Sequence, residues 1–162
     1  MAIYMLLTDV PGEVTTKDFE KQIEIISASF GTARHIASPA RKANGRESSE
    51  PMLSEVNLTK EWDSTSSPKL FEESIAGKLN LKAVLTFTTT SEGSVEKYLE
   101  IELTDVGISN FQINGSGDDK PSESLSLNFA KIQYKPYVIG ADKTAKTGKV
   151  VSYDLTQMKA NA

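Results

Sequence analysis

The chain has 162 residues, of which 38% are apolar, enough for one domain with an ordinary core. A net charge of −4 argues against a nucleic-acid backbone as the main partner, because phosphate binding needs a basic excess. With no cysteine, the sequence excludes disulfides, thiolate nucleophiles and every cysteine-held zinc or iron–sulfur centre.

The N-terminal apolar run from Ala2 to Leu7 follows no basic region and is shorter than the core of a cleavable leader. No stretch reaches the roughly 18 consecutive apolar residues of a membrane span, so no membrane insertion is expected. Ala2 to Thr8 reads as a first strand, followed by a turn at Val10-Pro11-Gly12-Glu13. Gln22 to Phe30 reads as a second. Alternation there sets Ile23, Ile25, Ser27 and Ser29 against Glu24, Ile26, Ala28 and Phe30, and since neither face is purely apolar a bulge or a two-sided environment is expected.

From Gly31 to Pro51 the periodicity stops. A structureless run of that length inside a small domain is expected to be either a solvated flexible loop or an arm that reaches a partner. Arg34, Arg41, Lys42 and Arg46 make it the most basic part of an acidic chain. Leu53 to Trp62 is the third strand. A short helix is predicted over Pro68 to Ala76, with Ser67 as its cap, proline in its first turn and Gly77 as its left-handed stop. Leu70, Phe71 and Ile75 form its apolar face. Leu81 to Thr90 and Val95 to Thr104 are strands joined by the hairpin signal Ser91-Glu92-Gly93-Ser94. Further strands are predicted over Asp105 to Asn114, Glu123 to Lys135 and Val150 to Leu155. Gly115 to Ser122 and Tyr137 to Thr147 read as loops, and residues 156–162 as a disordered tail after a single domain of 1–155. About eight short strands and one helix imply an antiparallel barrel or sandwich.

Catalytic chemistry is thin. The lone histidine, His35, lies in the aperiodic stretch, and no serine sits in a nucleophile elbow. Gly115-Ser116-Gly117 lacks the lysine and helix of a phosphate loop, and Gly148-Lys149 is followed by Val150 where such a loop needs Ser or Thr. Asn57-Leu58-Thr59 and Asn114-Gly115-Ser116 match a glycosylation pattern that is common by chance. The pairs Glu72 with Glu73 and Glu100 with Glu102 read as solvated faces rather than acid–base pairs. Trp62 reads as core or interface, with sugar stacking as the alternative.

Four stretches carry a resemblance. The Gly12-Glu13 turn, IEIISASFG over Ile23 to Gly31, and LTKEWDSTSSPKL over Leu58 to Leu70 precede YLEIELTDVGIS over Tyr98 to Ser109 and ESLSLNFAKIQYKPY over Glu123 to Tyr137. Together they resemble the haemolysin-coregulated protein (Hcp) family of bacterial type VI secretion. The markers are Lys60, Asp63, Ser67 and Pro68, then Glu123, Leu127, Phe129, Lys131 and Tyr134.

The resemblance implies a compact antiparallel β-barrel with one flanking helix and a long extended loop, assembled six to a ring. Rings of such a family stack into a hollow tube within a contractile sheath, capped by a spike protein, and are secreted without a leader. The lumen can carry small effector proteins. The long loop would then be the ring-stacking arm, with Arg34, Arg41, Lys42 and Arg46, and alternation suggests Ser27 and Ser29 as lumen candidates. No catalysis and no cofactor are expected. The alternative is a monomeric barrel binding a small ligand or glycan at Trp62 or at the Gly31 to Pro51 loop.

Overall fold

The computed structural model describes residues 1–37, 48–91, 93–140 and 145–161. Within them thirteen strands and one helix run in the order β1 (Ala2–Leu7), β2 (Ile23–Ile25), β3 (Ser27–Ser29), β4 (Thr32–Ala33), β5 (Met52–Leu53), β6 (Val56–Glu61) and α1 (Ser66–Ala76). Then come β7 (Leu81–Ser91), β8 (Ser94–Asn114), β9 (Ser122–Asn128), β10 (Lys131–Ile139), β11 (Ala145–Thr147), β12 (Val151–Asp154) and β13 (Lys159–Asn161). The fold is mainly β, an antiparallel barrel-like sheet flanked by one helix, as the sequence implied.

One strand organises the sheet. Val95 to Thr104 and Asp105 to Asn114, predicted separately, form a single 21-residue strand, β8. Its first half pairs with β7 and β10, and its second half pairs with β9. Asp105 takes a left-handed φ of 53° between the halves. Ile101 and Leu103 before it, and Val106 and Ile108 after it, all point inward, so one bulged residue resets the two-residue alternation. From β8 the ladder runs one way through β7 and β1 to β2, and the other way through β9 and β6 to β3.

The two branches meet where the sequence predicted a bulge. Gln22 to Phe30 is two strands: β2 pairs with β1, β3 pairs with β6, and the Ile26 amide between them donates to the Thr59 carbonyl at 2.7 Å. Ile23 and Ile25 are buried whereas Ile26, Ser27 and Ser29 are exposed, so the face changes at Ile26. The core is the aliphatic set inside these branches, among them Met5, Ile23, Val56, Leu58, Leu85, Leu103, Leu125 and Leu127.

Several boundaries differ from expectation for local reasons. Leu53 to Trp62 divides because Met52–Leu53 pair with Thr32–Ala33 in a separate two-stranded arm. An isolated Ile36–Ser48 bridge extends that arm, so the described part of the Gly31 to Pro51 stretch is paired rather than structureless. Glu123 to Lys135 divides at Phe129-Ala130, where the Ala130 amide donates to the Thr104 carbonyl and the chain crosses from β8's far half to its near half. The supposed loop from Tyr137 to Thr147 contributes a β10–β11 pairing. The supposed tail turns back because Asp154 Oδ1 accepts the amides of Thr156 and Gln157, and Lys159–Asn161 then pair with β12.

The helix starts two residues early and its faces are not those predicted. Leu70 is fully buried, but Phe71 and Ile75 are 53% and 70% exposed. Ser66, Ser67 and Glu73 turn inward in their place, because the inner side of this helix meets a buried ionic group as well as apolar surface. Gly77 does stop it, with φ of 67° and its amide on the Glu73 carbonyl. The two exposures separate cleanly by mutation. Leu70→Ala is expected to cost about 2–5 kcal/mol in urea unfolding, and Ile75→Ala to stay within about 0.5 kcal/mol; equal losses would contradict the observed helix orientation.

Candidate assembly surfaces

The junction between helix and sheet is ionic. Lys60 on β6 and Glu123 on β9 are cross-strand partners on the inner face, 1% and 0% exposed. Lys60 Nζ donates to Glu123 Oε2 at 2.9 Å, to Ser67 Oγ at 3.1 Å and to the Glu61 carbonyl at 2.7 Å, and lies 2.9 Å from Asp63 Oδ2. Ser67 Oγ donates to Glu123 Oε2 and accepts the Asp63 amide. Ser67, expected as the helix cap, is thus part of the junction.

Asp63 caps instead. Its Oδ1 accepts the amides of Thr65 and Ser66, two of the donors a helix start leaves free, and Oδ2 accepts the Ser66 hydroxyl. Burial alone would raise its carboxyl, but the bonds from Ser66 and Lys60 outweigh it and hold the group below the usual aspartate range. Next to it, Glu13 Oε1 accepts the hydroxyls of Ser64 and Thr65 at 2.7 Å. Glu13 reaches them because the neighbouring turn lies close against β2: a Cβ at Gly12 would sit 2.1 Å from the Gln22 carbonyl oxygen.

The opposite face of the same strands is polar and almost uncharged. Pairing aligns Ser29 with Asn57, Ser126 and Asn110, and Ser27 with Thr59, Ser124 and Gln112. A third row holds Glu61, Ser122 and Asn114, its one carboxylate 3.1 Å from Lys120. Ser27 and Ser29, both exposed, are the edge of a wide hydroxyl and amide surface.

The arm leaves this sheet at the Ser29–Asn57 end. Arg34 Nη1 donates to Ser48 Oγ at 3.3 Å, and both are exposed. Arg41, Lys42 and Arg46 lie outside the described residues. Between the arm and the β10–β12 edge is an apolar cleft of about 560 Å³, lined by Phe30, Ile36, Leu53, Tyr134, Val151 and Tyr153 among others. Trp62, 38% exposed, stands at the opposite end of β6.

The model of the family described as "Type VI secretion system effector, Hcp" matches residues 4–135. The chain belongs to the Hcp family. It is 28% identical over 152 residues to Protein hcp1 of Pseudomonas aeruginosa, covering 93% of this chain and 91% of that protein. Its fold is shared with a solved type six secretion system protein at a TM-score of 0.89 and 22% identity, with 99% of each chain covered. Hcp1 from Salmonella typhimurium gives 0.78 and 21% identity, with 99% and 98% covered. Membership makes this a structural, secreted component of the type VI secretion tube.

In this Hcp protein part of the markers read from sequence converge in space, whereas Leu127 and Phe129 lie in the core and Lys131 and Tyr134 on β10. Gly12-Glu13, Lys60, Asp63, Ser67 and Glu123, spread over more than a hundred residues, meet at the helix–sheet junction. The carboxylates Glu100 and Glu102, expected to be solvated, instead flank Lys135 at 3.4 and 2.9 Å, and Glu102 also meets Lys82. Hydrogen bonds from Lys82 and then Lys135 lower the Glu102 carboxyl. Sequence reading saw weakly charged polar strand faces but named only Ser27 and Ser29 of the surface they form together. Its signal was the alternation of Ser122, Ser124, Ser126 and Asn128 and of Asn110, Gln112 and Asn114, which only cross-strand register could assemble.

No helix among the described residues is long and apolar enough to cross a membrane. Removing one member of the junction strands the others in low dielectric, so Lys60→Met is expected to cost about 3–5 kcal/mol by urea unfolding. A loss below 1 kcal/mol would contradict the junction's role. Asp63 adds a pH signature. A lowered carboxyl contributes stability that is present above its ordinary value near 4 and is lost as pH falls through its lower folded value. The stability gap between the wild type and Asp63→Asn should therefore narrow between about pH 5 and pH 2; a constant gap would refute the assignment.

Proposed function

We propose that this chain is the ring subunit of a type VI secretion inner tube, acting as one domain that includes the returning strand β13, six copies to a ring and rings stacked head to tail. The observation that carries the reading is the two-sidedness of the sheet β3–β6–β9–β8. Its inner face packs the aliphatic core and the Lys60–Glu123 pair, while its outer face offers eleven Ser, Thr, Asn, Gln and Glu positions in register, only one of them charged. A neutral hydroxyl and amide surface neither binds tightly nor repels strongly, which suits a lumen that holds and releases small effector proteins. Ser27 and Ser29 belong to it, and the arm carrying Arg34, Arg41, Lys42 and Arg46 is the ring-stacking element.

The partners on this reading are copies of the chain itself, the spike at the tube tip, the surrounding contractile sheath and small effectors, with neither nucleic acid nor membrane insertion involved. The protein waits in the cytoplasm and leaves by firing of the apparatus without a cleaved leader. The competing reading, a monomeric barrel with a ligand site, has one feature in its favour: the apolar cleft of about 560 Å³ beneath the arm. In an assembled tube the same cleft is a stretch of subunit surface waiting for a neighbour.

Replacing residues 38–47 by a Gly-Gly turn keeps the Ile36–Ser48 bridge and should leave annular particles in electron micrographs while reducing stacked tubes at least several-fold. Tubes as long as those of the wild type would refute the arm's role. Ser29→Gln should change effector retention in pull-downs without changing ring formation; loss of rings would place Ser29 at a subunit contact.

A further inference from the structure

The outer polar face holds one side chain with covalent chemistry of its own. Asn114 is the last residue of β8 and is followed by Gly115. Among the described residues, Asn57, Asn80, Asn110, Asn128 and Asn161 precede Leu, Leu, Phe, Phe and Ala, so Asn114 alone has glycine after it. That neighbour matters. The backbone nitrogen that follows an asparagine can close a succinimide ring on the side-chain amide carbon, and a Cβ on the following residue hinders the approach.

The geometry leaves the approach open. Asn114 and Gly115 are both exposed, and residues 115–121 belong to no strand, so the attacking nitrogen is the first beyond the ladder. The space around Gly115 is empty apart from Pro121 Cγ, 4.0 Å from where a Cβ would stand. The Asn114 side chain is also loosely held, since its Oδ1 accepts Gln112 Nε2 at 3.4 Å, the long end of such bonds. Asn57, by contrast, has its Oδ1 bound to the Ser126 hydroxyl at 2.8 Å.

We propose that Asn114 is a site of spontaneous deamidation, which turns a neutral position of the outer face into a carboxylate. The Gly115 nitrogen gives up its proton to hydroxide and bonds to Cγ of Asn114. The Cγ–Nδ2 bond breaks, ammonia leaves, and a succinimide remains. Water then opens the ring at one of its two carbonyls. Opening at Cγ yields aspartate; opening at the main-chain carbonyl yields isoaspartate, through which the chain continues by way of the side chain. In sum, an amide and water become a carboxylate and ammonium, with no oxidant, metal or cofactor.

The charge falls where it has an effect. Pairing sets Asn114 in one row with Ser122 and Glu61, roughly 10 Å from the Glu61 strand at two strand spacings. Lys120 already lies 3.1 Å from Glu61, so a second carboxylate makes a balanced row acidic. Isoaspartate also lengthens the main chain at the Asn114–Ser122 pair and frays the end of β8. On the ring reading above, which the chemistry itself does not need, each copy adds one such charge to the lumen face.

The test is incubation of the purified protein at mildly alkaline pH and body temperature, beside a synthetic peptide of residues 109–119 and the variant Gly115→Ala. Tryptic mass mapping follows the amide, and Asn44-Gly45 is read separately because cleavage at Lys42 and Arg46 places it in another peptide. The expected result is an acidic isoform on ion exchange, an amide-to-acid mass gain in the peptide that spans Asn114, and labelling of that peptide by protein isoaspartate methyltransferase. Gly115→Ala, which the open space tolerates, should slow the conversion about tenfold. An Asn114 amide that stays intact in the folded protein after the free peptide has converted overturns the proposal. So does conversion of Gly115→Ala at the wild-type rate.

Discussion

The buried contact between Lys60 and Glu123 is the constraint on which the rest of this structure depends. It joins β6 to β9 at the same register that aligns the polar rows on the other side of the sheet. Through Ser67 and Asp63 it also fixes where the helix begins. A one-residue slip of either strand would carry Lys60 or Glu123 to the outer face and Thr59 or Ser124 into the core. A leucine pair would be no less stable at such a site, since burying two charges is costly. What an ion pair adds is register, because a misplaced apolar strand still buries something whereas a misplaced lysine is left uncompensated. Short strands with serine at every second position define their own alignment weakly, and the ionic junction supplies it.

The same contact connects fold to assembly. The helix covers the inner side of β8 only in part, since Leu70 fills the core while Phe71 rests on Phe111 at the edge. The apolar groove that remains has the buried Glu123 and Ser67 of the junction in its wall. At the far end of β6 the chain instead spends some twenty residues on an arm with a basic sequence. One strand thus has an arm of basic sequence at one end and an apolar groove at the other.

Much of this was legible in the sequence, and the misses have physical causes. Strand existence was clear wherever apolar residues alternated, as in Leu99 to Thr104 and Leu125 to Phe129, and the run with no clean face around Ile26 proved to be a change of strand partner rather than a bulge. Boundaries failed where a strand changes partners. Asp105 looks like a turn residue but is a bulge inside one long strand, and Phe129-Ala130 is invisible as a crossing because both sides continue the alternation. The helix was found from its proline and glycine, yet its faces were misjudged because serine and glutamate counted as outward. Ser67 and Glu73 point inward, and only the partners Lys60 and Lys78 explain why. The markers Lys60, Asp63, Ser67 and Glu123 were visible as a pattern, but nothing in their spacing revealed that they touch.

The central claim is that a surface half polar and half apolar is completed by copies of the same chain. Its most direct measurement is the mass of the purified protein in solution by light scattering at micromolar concentration. The account predicts a particle of six protomers of 17.7 kDa each. A stable species of one protomer, unchanged as concentration rises to the high micromolar range, would contradict it.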